Sequence, residues 1–107
     1  MLKVLFVCTQ NRLRSPTAEA VFSTQPGLEV MSAGTSSDAE NPIDAELIEW
    51  ADVIFVMENV HRKKLNLQFG SLLRDKRIVV LGIPDRYRYM DPELIEILHE
   101  RVPAHLP

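Results

Sequence analysis

Short apolar runs separated by polar and turn-forming stretches set the plan of this chain. Val4 to Val7 is continuously apolar and compact, which predicts a buried strand. Ser15-Pro16 follows as an N-cap candidate with proline in the first helical turn, and Ala18, Val21 and Phe22 recur at three- and four-residue spacing, predicting a helix to about Ser23. Pro26-Gly27 breaks the chain before a second strand over Glu29 to Ala33, closed by Gly34. A turn-rich stretch leads to a short helix over Asp44 to Trp50 and a third strand over Val53 to Met57. Asn59 is placed to cap a helix that reaches Phe69 and stops at Gly70. Arg77 to Ile83 reads as the fourth strand. Asp91-Pro92 opens a last helix with Leu94, Ile95, Leu98 and Val102 on one face, ended by Pro103.

Continuously apolar strands alternating with helices imply a parallel sheet covered on both faces, hence a three-layer α/β domain. No repeat, low-complexity tract or long linker divides residues 1–107, so a single domain is expected. In such sheets ligands bind beyond the carboxyl ends of the strands. Cys8 stands at one of those ends.

Composition narrows the setting. A lone cysteine forms no internal disulfide, which makes a reducing, cytoplasmic location the expectation. The formal net charge of −3 argues against a nucleic-acid partner, and no apolar run approaches the length of a membrane span. His99 and His105 lack companions at metal-ligand spacing, so neither metal nor cofactor is expected. His61 lies among Arg62, Lys63 and Lys64, where a solvated helix face is the expected reading.

The chemistry concentrates in the stretch Cys8-Thr9-Gln10-Asn11-Arg12-Leu13-Arg14-Ser15. A cysteine, five residues and an arginine, placed between a strand and a helix, let backbone N–H groups curl round a tetrahedral anion while the helix directs its positive end at the same point. A planar guanidinium at Arg14 holds two oxygens of a phosphoryl group, and the same positive surroundings favour a thiolate at Cys8. The arrangement suits attack of sulfur on phosphorus, giving a phosphocysteine that water hydrolyses.

These residues resemble the signature of the low-molecular-weight protein tyrosine phosphatases, V-C-x-G-N-x-C-R-S-P-x-A-E-A: Val7, Cys8, Asn11, Arg14, Ser15, Pro16, Ala18, Glu19 and Ala20 fit it. The likeness extends to Ser32–Thr35 (SAGT) and Asp52–Glu58 (DVIFVME). It implies a four-stranded parallel sheet of order 2-1-3-4 with helices on both faces, Cys8 as nucleophile and Arg14 as phosphate ligand. It also implies that Ser15 steadies the thiolate and that Asn11 holds the loop's shape. Gln10 stands where the family has glycine, which implies strain if that position needs a positive φ. Leu13 stands where the family has a second, protective cysteine. The chain is also shorter between SAGT and DVIFVME, where the family carries an aromatic recognition loop; Trp50 is a candidate substitute, though packing on the sheet is its better reading.

Departure of the leaving group needs a carboxylic acid, and the family's lies in Asp-Pro-Tyr after the fourth strand. Asp85 matches by position and Asp91-Pro92 by dipeptide. Asp85 is favoured because a helix cap already explains Asp91. Tyr87, Arg88 and Tyr89 are candidates for one wall of the pocket. The expected substrate is a phosphorylated protein or small aryl phosphate, since Arg12, midway round the loop, is placed to stack on a phenyl ring or to pair with a neighbouring carboxylate, and repels a cationic leaving group. Two other readings stay open: an oxyanion-binding module without catalysis, and arsenate reduction, which needs an external thiol here. A phosphocysteine carrier of the sugar-transport type has no need of Arg14.

Overall fold

The computed structural model describes residues 1–107. It contains strands β1 (Leu2–Cys8), β2 (Leu28–Gly34), β3 (Val53–Val56) and β4 (Arg77–Val80), and helices α1 (Arg14–Phe22), α2 (Ala45–Trp50), α3 (Asn59–Phe69) and α4 (Pro92–Arg101), with short 3₁₀ turns at Gly70–Leu73 and Pro103–His105. All strand pairs are parallel, as the apolar runs predict, and the order is β2-β1-β3-β4, as the family resemblance implies.

The alternation of side chains along β1 divides the core. Val4, Phe6 and Cys8 face one side, where they meet Ala18 and Phe22 of α1 and Leu94 and Leu98 of α4. Leu5 and Val7 face the other, against Ile48 of α2 and Leu65 of α3. Both sheet faces are therefore dry, which is why β1 and β3 need continuous apolar character. Phe6 stacks between Phe22 and Phe55, at ring separations of 5.7 and 5.3 Å. Full burial of each such ring contributes about 1.5–3 kcal/mol. Trp50 is half-buried against the second core, in keeping with its packing role. No helix is long and apolar enough to cross a membrane.

Element starts differ from the sequence reading in two informative places. α1 begins at Arg14, so Ser15 lies inside the helix rather than capping it, and Leu13 at the N-cap supplies no side-chain bond. The helix's first N–H groups are thus left without a side-chain acceptor, and Pro16 in the first turn has none to satisfy. α3 is capped from Glu58, one residue before Asn59. Asp91 does cap α4, accepting from the Glu93 N–H at 2.9 Å.

Candidate active site

The carboxyl end of β1 carries Cys8 straight into the loop before α1. The carbonyls of Cys8, Thr9 and Gln10 accept from the N–H groups of Thr35, Ser36 and Glu40 at 2.9–3.0 Å. In a trans peptide the next residue's N–H points opposite to the carbonyl, so the N–H groups of Thr9, Gln10 and Asn11 are turned away from segment 35–40, into the loop's concave side. This close approach requires Gly34. A Cβ there would stand 2.5 Å from the Thr9 carbonyl oxygen and from the Ala39 Cβ.

Asn11 adopts φ +55°, the left-handed region that Asn tolerates better than most residues. It is the one loop residue with positive φ; Gln10, in the family's glycine position, carries no such strain. The Asn11 amide donates to Ser15 Oγ and Ser32 Oγ, both at 2.9 Å, and Ser32 in turn donates to Glu19. With its oxygen already accepting from Asn11, the Ser15 hydroxyl has its proton for Cys8 Sγ, 2.9 Å away, or for the Ala33 carbonyl at 3.3 Å. The shorter contact is to sulfur.

Arg14 is almost wholly buried, and its Nη1 donates to Glu58 Oε1 at 2.6 Å and to the Ile83 carbonyl at 2.8 Å. Nε and Nη2 keep no hydrogen-bond acceptor within the chain, and Asp85 Oδ1 lies 3.6 Å from Nε. A guanidinium buried this deeply is costly to desolvate, so its place is set by what it must hold. Glu58, which the sequence reading left out of the site, ends the third apolar run. The rule that sites gather at the carboxyl ends of parallel strands, applied to the third strand as to the first, is the signal that could have found it.

Cys8, Thr9, Gln10, Arg12, Leu13, Arg14 and Asp85 line a cavity of about 240 Å³. The two acid candidates separate: Asp85 is exposed on this lining, whereas Asp91 is at the start of α4 and absent from it. Tyr87 is buried in the core beside α4, and neither it nor the exposed Tyr89 lines the cavity. Arg12 instead pairs across the rim with Glu40, at 3.2 Å between exposed side chains.

His61 is not on a solvated face. It is buried; Nδ1 accepts the Glu58 N–H at 3.0 Å and Nε2 lies 2.9 Å from Thr9 Oγ1. Burial, followed by the nearby Arg14 charge, lowers its pKa to about 4, so the ring is neutral at pH 7. The charged neighbours in sequence disguised it, because most of α3 is exposed and only one edge, with His61 and Leu65, faces inward. No cluster of three metal-ligating side chains occurs.

A thiol beneath a ring of peptide N–H groups, with a buried arginine closing the ring at the mouth of a parallel sheet, defines a cysteine-based phosphatase site. A family description of low molecular weight phosphotyrosine protein phosphatase matches residues 3–52. The protein-arginine-phosphatase of Bacillus subtilis (strain 168) is 31% identical over 102 residues, spanning 70% of this chain and 67% of the relative. Among solved structures, the YwlE arginine phosphatase from Geobacillus stearothermophilus is 25% identical with a TM-score of 0.78, covering 99% of this chain and 93% of that one. The tyrosine phosphatase Wzb from Escherichia coli K30 in complex with phosphate shares the fold at a TM-score of 0.78 and 20% identity, covering 98% and 96%. The chain belongs to the low molecular weight phosphotyrosine protein phosphatase family.

Proposed function

We propose that this protein is a phosphomonoesterase that removes phosphate from a phosphorylated protein side chain, preferentially an aryl phosphate such as phosphotyrosine, through a phosphocysteine at Cys8. The observation that carries the reading is the contact of Cys8 Sγ with Ser15 Oγ at 2.9 Å, under the loop that Arg14 closes. Sulfur attacks phosphorus while the bond to the leaving oxygen breaks, and protonated Asp85 gives that oxygen its proton. Water then attacks the phosphocysteine and loses a proton to the Asp85 carboxylate. Inorganic phosphate departs and the thiolate is restored. Loop N–H groups of Thr9, Gln10, Asn11, Arg12, Leu13, Arg14 and Ser15, with the Arg14 fork, bind the equatorial oxygens throughout.

Arg12 supports an aryl leaving group, since a guanidinium stacks on a ring and opposes a cation. Glu40 supports a second reading, phosphoarginine, because pairing with Arg12 offsets the rim's positive charge and offers a carboxylate to a guanidinium. The arginine phosphatases among its relatives point the same way. Turnover of phosphotyrosine and phosphoarginine peptides by the wild type and Cys8→Ser decides between them. The expected result is faster release from phosphotyrosine and no turnover in Cys8→Ser, with phosphate binding retained. Faster release from phosphoarginine replaces the first reading by the second, and near-normal turnover in Cys8→Ser overturns both.

A further inference from the structure

The two ends of the phosphate loop are held by side chains of a single helical turn. Arg14, at the loop's far end, is bonded to the Glu58 carboxylate, and Thr9, beside the nucleophile, is bonded to the ring of His61 three residues on. Nδ1 of His61 accepts the Glu58 N–H, which places the ring's proton on Nε2 and makes Thr9 Oγ1 the acceptor. Thr9 therefore keeps its own hydroxyl proton for an acceptor in the cavity that it lines. The low pKa of the buried ring keeps this tautomer in place at pH 7.

We propose that His61 is a positioning residue of the phosphate loop, its imidazole fixing Thr9 against the same turn of α3 whose Glu58 carboxylate holds Arg14. The inference rests on residues 8–15 being the phosphoryl-binding loop. A capping role alone needs only the bond at Nδ1, of the kind a Gln in this helix position makes. The bond at Nε2 reaches a side chain 52 residues away and does nothing for the cap. It orients the residue whose N–H begins the anion ring, so its loss loosens that ring and unsettles a donor in the cavity.

Isothermal titration with inorganic phosphate near neutral pH tests this without requiring turnover. Thr9→Val and His61→Ala each weaken phosphate binding about three- to tenfold, the range expected for one hydrogen bond. The double variant binds no more weakly than the weaker single, because both remove the same contact. Thr9→Ser and His61→Gln, which can remake the contact, bind within about twofold of the wild type. Losses that multiply in the double variant, or a Thr9→Val protein that binds like the wild type, overturn the proposal. If His61→Ala fails to fold for want of its cap, Thr9→Val against Thr9→Ser decides it alone, equal affinities being the negative result. Absence of hydrolysis by the wild type overturns the phosphatase reading separately and leaves these affinities interpretable.

Discussion

Asp85 and Asp91 carry the same functional group six residues apart, and their surroundings give them different work. Asp85 is exposed on the cavity beside Arg14, and Asp91 bonds the first turn of α4. A tyrosine-like phenolate is a poor leaving group that needs a proton, whereas nitrophenolate leaves unaided. Asp85→Asn is therefore expected to depress hydrolysis of phosphotyrosine far more than of p-nitrophenyl phosphate. Asp91→Asn leaves the ratio of the two rates unchanged and changes stability by about 1 kcal/mol or less. A leaving-group-dependent loss in Asp91→Asn instead would exchange their roles. His61 supplies a second test at this scale. Its folded pKa of about 4 lies below the ordinary value of 6.5, so between these values the unfolded chain binds more protons. The corresponding stabilisation is complete above about pH 6.5 and is lost as the pH falls towards 4. The advantage of the wild type over His61→Gln in urea midpoint is expected to shrink between about pH 7 and pH 4.5. A constant gap would show that the ring titrates normally.

At the level of elements, β1, β2 and the loop are fitted around the missing side chain of Gly34. Its neighbours include a backbone oxygen that cannot rotate away, so Gly34→Ala forces segment 35–40 apart from the loop carbonyls that it bonds. The expected result is a stability loss of about 1–3 kcal/mol by urea denaturation, with a fall in kcat/KM for aryl phosphates because the loop N–H groups lose their aim. Normal values for both would mean that the loop holds its shape unaided. The apolar runs made the strands legible, most plainly β1 and β3, which are covered on both faces. The start of α1 was not: Ser15-Pro16 has the local form of a cap, but the hydroxyl of Ser15 turns to Cys8 and the helix is left open at its anion-binding end. Local propensity gave way to the site.

Across the whole molecule, one thiol serves a buried site and has no partner for a disulfide. Leu13 occupies the place of the family's second cysteine and lines the cavity mouth. Peroxide is accordingly expected to carry Cys8 past the sulfenic acid, giving inactivation that dithiothreitol reverses poorly. Full recovery of activity after prolonged oxidation would contradict this. Two-sided burial of the sheet also explains the shape of the site: the helices close both faces, and the carboxyl ends of β1, β3 and β4 bring Cys8, Glu58 and Asp85 to one opening.

The amino-acid sequence by itself determined the parallel α/β plan, through runs too continuously apolar for an exposed face, and singled out Cys8 and Arg14, because their chemistry depends on spacing along one short loop. Tertiary structure alone decided the residues that act across the chain. Glu58 and His61 reach Arg14 and Thr9 over 44 and 52 positions, and a helix of exposed basic residues concealed the one buried imidazole. Tyr87 likewise had the composition of a pocket wall, yet the turn before α4 directs it into the core. Periodicity records which side of an element is dry; which distant atoms meet there follows only once the sheet order and register bring the strand ends together.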